Sequence, residues 1–214
     1  MGLFITLEGI EGSGKSTQME LLREHLEDKG KDVLTLREPG GVWLAEMVRP
    51  ILLNRAEGMN MEPLAELFLY EACRAQLVRQ IIRPALNKGR VVVCDRFTDS
   101  TLAYQGYGRG LDIQAVAGIN RLAAFGLVPD LTILIDISPE AGLKRAFKRI
   151  EGKEGAAKED RFENESLKFH TKVRDGYLKI AGTDPKRVRV INGEREIASV
   201  HRDICDIIDE KTTG

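Results

Sequence analysis

The sequence predicts an α/β fold in which helices cover both faces of a parallel β-sheet, and the alternation of two kinds of segment supports this prediction. Short, largely apolar runs alternate with longer stretches of helical periodicity along the chain. A strand that is buried on both faces reads as a continuous apolar run, and parallel strands need helical crossovers between them. We therefore expect a three-layer α/β/α arrangement around a five-stranded parallel sheet.

Five apolar runs are the predicted strands, at residues 3–7, 33–36, 91–94, 131–135 and 188–191. The third of them, Val-Val-Val-Cys, is rich in β-branched residues and follows Gly89, which favours a central position in the sheet. The first run is too short for the apolar core of a signal peptide.

Seven stretches with helical periodicity separate and follow these strands, at about residues 16–29, 44–53, 63–87, 112–125, 139–150, 165–181 and 197–210. In the first helix Leu21, Leu22 and Leu26 are predicted to form the buried stripe, and Gly30 marks its end. Pro84 lies inside the long third stretch, which predicts a bend there because proline disrupts helix geometry.

Composition and charge limit the class of protein. The 214 residues fit one domain, which we expect to span residues 1–214, and the net charge of −1 gives no basic field for binding nucleic acid. No apolar run approaches the roughly 18 residues that span a bilayer. Cys73, Cys94 and Cys205 lack the spacing of a metal site or a disulfide framework, and Cys73 and Cys94 are predicted to be buried thiols. We expect a cytoplasmic protein without nucleic-acid or membrane partners.

Residues 9–16, Gly-Ile-Glu-Gly-Ser-Gly-Lys-Ser, fit the pattern G-x-x-x-x-G-K-[ST] between a predicted strand and a predicted helix. The glycines let backbone N–H groups approach phosphate oxygens, and the following helix adds its positive dipole end. Lys15 is predicted to reach the β- and γ-phosphates and Ser16 to bind Mg²⁺. The expected nucleotide contacts are Gly9, Ile10, Glu11, Gly12, Ser13, Gly14, Lys15, Ser16 and Thr17. The motif indicates a P-loop NTPase that binds a nucleoside triphosphate with magnesium.

The P-loop alone does not distinguish a kinase from a GTPase switch or a motor ATPase. A GTPase normally carries Asn-Lys-x-Asp after a later strand, whereas the fourth predicted strand is followed by Asp-Ile-Ser. A motor ATPase usually belongs to a longer chain with coupling elements. A small-molecule kinase is therefore favoured, and a nucleotide-dependent switch or binding module stays open as the alternative.

A second motif, Asp-Arg-Phe-Thr-Asp-Ser-Thr-Leu-Ala-Tyr-Gln-Gly-Tyr-Gly-Arg-Gly, follows the third strand at residues 95–110. It resembles the signature of bacterial thymidylate kinases, which have a nucleoside monophosphate kinase-like fold. Further matches lie at residues 37–41, 44–46 with Arg49, Tyr70 with Arg74, 136–143 and 160–163, so that the resemblance extends from about residue 4 to about residue 193.

The resemblance implies an enzyme that moves the γ-phosphoryl group of ATP to dTMP, forming dTDP for dTTP synthesis. It also implies a homodimer, because members of the family associate through helix faces. Another nucleoside monophosphate kinase or a deoxynucleoside kinase would share the P-loop, but we would not expect it to combine all of these motifs.

The residues at the start of the second motif also have a physical interpretation. Asp95, at the carboxyl end of a predicted parallel strand, is placed to bind Mg²⁺ directly or through water. Arg96 can hold the acceptor phosphate through charge-assisted hydrogen bonds. The alternative is an Asp–Arg pair that caps a turn. Arg49 is a second candidate for the same phosphate, or else an ordinary arginine on a helix surface.

Tyr70 and Arg74 lie four residues apart and so share a helix face. They could stack on a pyrimidine and donate to its O4 atom, or Tyr70 could belong to the core; the resemblance favours the base-binding role. It also implies that Glu11 lies near the 3′-hydroxyl and phosphate of the acceptor. The remaining expected substrate contacts are Glu38, Pro39, Ser100, Thr101, Tyr104 and Gln105, with Tyr104 beneath the deoxyribose.

The polar, glycine-containing stretch near residues 150–161 is either a solvated loop or a mobile lid. Some family members carry an arginine in the P-loop after the acid, where this chain has Gly12. The resemblance therefore places the catalytic cation in the lid, with Arg149, Arg161, Lys153 and Lys158 as candidates.

The sequence suggests no general base. His25, His170 and His201 all lie in helical patterns and are predicted to be surface or packing residues. A nucleoside monophosphate is mostly a dianion at neutral pH and is its own nucleophile.

Overall fold

A sheet of five parallel strands forms the centre of the fold. The strands are β1 (Phe4–Glu8), β2 (Val33–Arg37), β3 (Val91–Asp95), β4 (Leu131–Asp136) and β5 (Val188–Asn192), in the order β2-β3-β1-β4-β5. The coordinates are a computed structural model that describes residues 2–54, 60–151 and 159–213. The predicted α/β class and five-stranded parallel sheet are confirmed.

Helices of the described chain cover both faces of the sheet. They are α1 (Lys15–Asp28), α2 (Trp43–Leu53), α3 (Pro63–Leu77), α4 (Arg83–Asn87), α5 (Thr98–Thr101), α6 (Ile113–Ala123), α7 (Pro139–Glu151), α8 (Leu167–Thr183) and α9 (Ile197–Thr213). Two π-helical segments, Val78–Ile82 and Leu102–Gly108, follow α3 and α5. No described helix is both long and apolar enough to cross a membrane.

Alternation along β1 divides the core into layers, because successive side chains of a strand point to opposite faces. Phe4 packs edge-on to Phe97 in the cluster that lies beneath α3 and α4. Ile5 and Leu7 pack instead with residues of α1 and α9, such as Leu22. Parallel strands buried on both faces require this cover, so the apolar runs account for the three layers.

A third cluster, built on α8, covers the π-helical segment 102–108. Tyr104 packs edge-on to Phe162 and Tyr177, and Phe169 stacks on Phe162. This cluster determines where the second sequence motif lies relative to the sheet.

The carboxyl ends of β1 and β3 lie side by side, with Leu7 paired to Asp95. The chain leaves β1 through the P-loop toward α1, and it leaves β3 toward Phe97 on the opposite face. Such a divergence opens a crevice beyond the strand ends, which is where α/β sheets bind ligands.

The structure differs from the sequence-based expectations in two places. The helix expected over residues 63–87 is interrupted by the π-helical segment Val78–Ile82 immediately before Pro84, where a wider turn accommodates a residue without an N–H. Residues 98–108, for which no helix was expected, form α5 and the second π-helical segment. Most of the predicted lid, with Lys153 and Lys158, lies outside the described residues.

Candidate active site

A cavity of about 980 Å³ opens at the carboxyl edge of the sheet, beyond β1 and β3. The predicted site residues that line it are Glu11, Gly12, Ser13, Gly14, Lys15, Ser16, Thr17, Glu38, Pro39, Arg49, Tyr70, Arg74, Asp95, Arg96, Ser100, Thr101, Tyr104, Gln105 and Arg149. The fold thus brings together the two sequence motifs that suggested the chemistry.

The P-loop wraps around the ammonium group of Lys15. Its Nζ atom donates to the carbonyl oxygens of Gly9 (3.0 Å) and Ile10 (3.1 Å). These two predicted site residues therefore bind Lys15 through their backbone, although they do not line the cavity. Burial, together with the charge of Arg96, lowers the pKa of Lys15 to about 8. Gly14 adopts a left-handed conformation at φ 97° and precedes α1, whose first residues, Lys15 to Thr17, line the cavity.

Gly12 is also left-handed, at φ 70°, and it lies against α7. A Cβ atom at this position would lie 2.1 Å from the carbonyl oxygen of Gly142, which is closer than atoms can approach. No side chain fits here unless the helix moves. The absence of an arginine from this loop position is therefore built into the packing of the loop on α7.

Two oxygen donors, one in the first turn of α1 and one at the end of β3, meet beside the P-loop. The Ser16 hydroxyl lies 3.4 Å from Oδ2 of Asp95, at the end of β3. The other carboxylate oxygen, Oδ1, is buried and has no hydrogen-bond partner among the described residues. A buried, unpaired carboxylate oxygen beside a hydroxyl suits a hard cation such as Mg²⁺.

Arg96 turns back over the cavity because its backbone is left-handed, at φ 72°. This conformation is rare for a residue other than glycine and often marks a functional turn. The guanidinium donates to Glu11 (3.0 Å), to Tyr177 (3.2 Å) and to Ser100 (3.3 Å), and it lies 4.8 Å above the ring of Tyr104. These contacts hold the guanidinium in one place.

Glu11 and Glu8 support Arg96 from two sides. Glu11 accepts a hydrogen bond from Tyr104 (2.6 Å); burial raises its pKa, but His170, Arg96 and Lys15 outweigh burial and lower it to about 2. Glu8 accepts from the hydroxyls of Ser100 (2.6 Å) and Tyr177 (2.9 Å).

The pKa of Glu8 moves in the opposite direction from that of Glu11. Burial, with a contribution from the charge of Asp99, raises it to about 7. The carboxyl also accepts a hydrogen bond from the backbone N–H of Phe97 at 2.8 Å. It thus ties the turn after β3 to the end of β1.

Arg74 lies at the floor of the cavity and is only 1% exposed. Its Nε and one terminal nitrogen donate to Glu38 (2.9 and 2.6 Å), and the other terminal nitrogen donates to Glu71, Thr101 and Asn120. Burial, with the charge of Glu71, raises the pKa of Glu38 to about 7 although Arg74 opposes the shift. Arg74 is therefore held rigidly on the same helix face as Tyr70, which is half-buried and lines the cavity.

Arg49 holds a carboxylate in the two-pronged geometry that guanidinium groups also use for phosphate. Its Nε and one terminal nitrogen each donate to an oxygen of Glu159 at 2.6 Å, and the other donates to the carbonyl oxygen of Pro39. Glu159 also lines the cavity.

The two described lid arginines lie in different places. Arg149 lines the cavity, is about half-exposed, and lies 3.1 Å from Glu163. Arg161 does not line the cavity: it pairs with the fully buried Glu66 and donates to the carbonyl oxygen of Leu52. The position of Arg161 does not fit the expectation that it closes over the phosphates, because its guanidinium is paired with the buried Glu66 away from the cavity.

Residues 7–204 match the sequence model of the thymidylate kinase family. This chain belongs to the thymidylate kinase family. The resemblance drawn from the two motifs is confirmed over most of the chain.

Individual members of the family align with the chain over almost its full length. The thymidylate kinase of Geotalea uraniireducens is 55% identical over 197 residues, 92% of each chain. That of Caldanaerobacter subterraneus subsp. tengcongensis is 47% identical over 213 residues, 100% of this chain and 98% of its own. The crystal structure of thymidylate kinase from Ehrlichia chaffeensis is 35% identical with a TM-score of 0.77, covering 97% and 98% of the two chains.

Sequence reasoning missed several cavity and support residues of this family member. Arg145 lines the cavity and donates to the carbonyl oxygen of Gly193, and residues 193–197 form the wall beside it. Tyr177 and His170 contact Arg96 and Glu11 from α8. None of them belongs to a motif that the sequence analysis singled out, and a helical pattern alone does not show which face of α8 reaches the site.

The raised pKa of Glu8 leads to a prediction about the pH dependence of stability. Its pKa rises on folding from 4.5 to about 7, so its protonation stabilises the fold fully below pH 4.5, and that stabilisation is lost as the pH rises through 7. Glu8→Gln cannot titrate. We expect the free energy of unfolding of the wild type, relative to the variant, to fall by roughly 3 kcal/mol over this range, since one pKa unit corresponds to about 1.4 kcal/mol. Urea denaturation at several pH values measures this, and a pH-independent difference would contradict it.

Proposed function

We propose that this cavity is the active site at which this member of the thymidylate kinase family transfers the γ-phosphoryl group of ATP to dTMP. The observation that carries the proposal is that Lys15 of the P-loop and Arg96 of the second motif line one cavity, where Glu11 pairs with Arg96 and interacts electrostatically with Lys15. A donor site and an acceptor site for two polyanions thus face each other. The products are dTDP and ADP, and the dTDP is used for dTTP synthesis.

The donor side would hold ATP on the P-loop. The backbone of residues 11–17 and the start of α1 would bind the phosphates, and Lys15 would leave the carbonyl oxygens of Gly9 and Ile10 to reach the β- and γ-oxygens. Ser16 and Asp95 would hold Mg²⁺ with the phosphates and water, and the ion would neutralise charge on the transferring group. Arg145 and residues 193–197 would border the nucleoside end.

The acceptor side would hold dTMP between α2, α3 and α5. Arg96 and Arg49 would bind the phosphate, Glu11 would accept from the 3′-hydroxyl, and Tyr70 would stack on the base. Arg74 would present its remaining N–H to O4. Thr101, Tyr104 and Gln105 would enclose the nucleoside, with Ser100 holding Arg96.

Transfer needs no general base from the chain. A phosphate oxygen of dTMP, already anionic, forms the new bond to the γ-phosphorus as the bond to the β-phosphate oxygen breaks and ADP leaves. The chain aligns the two polyanions and offsets their repulsion through Lys15 and Arg96. Arg149 lies at the cavity wall and is about half-exposed. Of the two described lid arginines, it is therefore the one that can contact the transferring phosphoryl group.

The alternatives are not favoured. Another nucleoside monophosphate kinase or a nucleotide switch would share the P-loop, but the family match runs through both the P-loop and the acceptor motif. We further propose that the chain acts as one domain in a reducing cytoplasm, which agrees with its three free, buried thiols.

The proposed function predicts that ADP release depends on dTMP. With ATP and dTMP, dUMP, dCMP, dGMP or AMP in turn, we expect rapid turnover with dTMP; equal, acceptor-independent hydrolysis would favour a switch. Arg96→Ala should lower kcat/KM for dTMP by roughly a hundredfold or more, because the guanidinium that would bind the acceptor phosphate is lost, while the Kd for ATP stays within about twofold. Arg202→Ala, on the exposed face of α9, is the control, and unchanged kinetics in Arg96→Ala would refute the role of Arg96.

The ion pair between Arg49 and Glu159 leads to a separate prediction about the affinity for dTMP. The Glu159 carboxylate occupies the guanidinium that the dTMP phosphate would need, so the two must compete. Glu159→Gln should lower KM for dTMP by up to about fivefold with little change in kcat, the range expected for a partly exposed ion pair. Glu140→Gln, exposed at the start of α7, is the control. A KM that is unchanged or higher in Glu159→Gln would mean that the two do not compete.

We also propose a homodimer, supported by an exposed apolar surface on α2 and α3. Trp43, Met47 and Ile51 follow one another at four-residue spacing on α2, and Leu64 and Phe68 do so on α3, with exposed fractions of 48–78%. Phe68→Glu would bury a charge in such an interface and should give a monomer in sedimentation experiments. Leu167→Glu, an exposed apolar residue at the start of α8, should remain a dimer. A monomeric wild type would contradict the proposal.

A further inference from the structure

A buried histidine of α8 reaches the acid of the P-loop. His170 has no exposed surface, and its Nδ1 atom lies 3.2 Å from Oε2 of Glu11. The two atoms lack the alignment of an ideal hydrogen bond, but neither has another hydrogen-bond partner among the described residues. Among the described residues, no other hydrogen-bond partner therefore competes for either of these two atoms.

The second ring nitrogen of His170 is also engaged. Nε2 lies 3.0 Å from the carbonyl oxygen of Phe162, and the ring meets Phe169 edge-on. The ring is therefore held at both nitrogens and on one edge. Because the carbonyl oxygen and the carboxylate are both acceptors, the ring donates at both contacts only when each nitrogen carries a hydrogen, as in the imidazolium, and Nδ1 then donates toward Glu11.

The two oxygens of Glu11 face different partners. Oε1 accepts from the Tyr104 hydroxyl (2.6 Å) and from Arg96 (3.0 Å), whereas Oε2 faces His170. Without His170, Oε2 would be a buried carboxylate oxygen with no donor. Such an atom is costly, so the carboxylate would rotate or admit water and would release its hold on Arg96.

The position of His170 is set by close packing of α8 on the segment 102–108. A Cβ atom at Gly108 would lie 2.8 Å from the ring of Phe169, and one at Gly176 would lie 2.6 Å from the ring of Tyr107. Contacts this close leave the helix little freedom to shift. The packing of α8 thus holds the His170 imidazole in a fixed position beside Glu11.

We propose that His170 is a positioning residue of the acceptor site, which acts by holding the Glu11 carboxylate so that Glu11 orients Arg96 and the acceptor. The inference rests on the proposed function of the cavity. It assigns to His170 a role in the use of dTMP and none in binding ATP, because the contact is with the oxygen of Glu11 that faces α8.

A double-mutant cycle tests the proposal. His170→Phe keeps an aromatic ring and removes both donors, and we expect it to lower kcat/KM for dTMP about tenfold or more while KM for ATP changes by less than about twofold. In a Glu11→Gln background, the same substitution should change kcat/KM for dTMP by less than about threefold. His170→Asn, whose amide nitrogen replaces Nδ1, should keep activity within about threefold of wild type. His201→Phe, on α9, is the matched control.

Equal losses in both backgrounds would show that His170 acts only through general packing and would overturn the proposal, as would full activity of His170→Phe. His170→Leu takes its place in the cycle if His170→Phe does not fold. Nitrogen NMR of the histidine-labelled wild type adds a test without a variant at this site, and an Nδ1 of His170 without a hydrogen would also overturn the proposal. A wild type that does not use dTMP would refute the proposed function itself, so the two failures are distinguishable.

Discussion

The ion pair between Arg96 and Glu11 is the contact on which the site depends, since it joins the loop after β1 to the turn after β3. Both residues lie in the crevice that also holds Lys15. A buried cation that has no partner is strongly destabilising. The fold meets this constraint by pairing Arg96 with Glu11, whose charge also favours the ammonium group of Lys15. Lys15 itself donates to the carbonyl oxygens of Gly9 and Ile10.

The same constraint separates fixed cations from exchangeable ones. Arg74 and its partner Glu38 are almost fully buried, and removing one member of such a pair costs about 3–5 kcal/mol, so this pair acts as a rigid wall. The partner of Arg49, Glu159, is 43% exposed, and a pair of that kind contributes only about 0–1 kcal/mol. Under the proposed function, a phosphate would displace Glu159 from Arg49, whereas it would not displace Glu38 from Arg74. The burial of the acid, more than the identity of the arginine, decides which guanidinium is available.

The sequence was sufficient for features whose signal is local. The five strands are apolar runs, and the P-loop and the motif at residues 95–110 are contiguous, so their place at the sheet edge follows from the topology of parallel strands. Features that depend on distant partners were out of reach. Arg161 was expected at the phosphates, but a buried Glu66 from α3 holds it, and His170 looks like any helical residue until α8 is packed. Local patterns carry no information about such pairs.

The packing of the P-loop on α7 links a backbone constraint to the position of Arg149, the proposed catalytic cation. Gly12 meets the carbonyl of Gly142 so closely that the loop cannot carry an arginine, and the backbone nitrogen of Ala146 lies 3.2 Å from where a Cβ atom of Gly12 would be. Gly142, Ala146 and Arg149 are spaced four and three residues apart, so they lie on one face of α7. The face that excludes a cation from the loop therefore carries Arg149 to the cavity wall two turns later. A larger residue at position 142 or 12 would push the helix outward and move Arg149 with it, so the small residues at this contact and the arginine at the cavity form one arrangement.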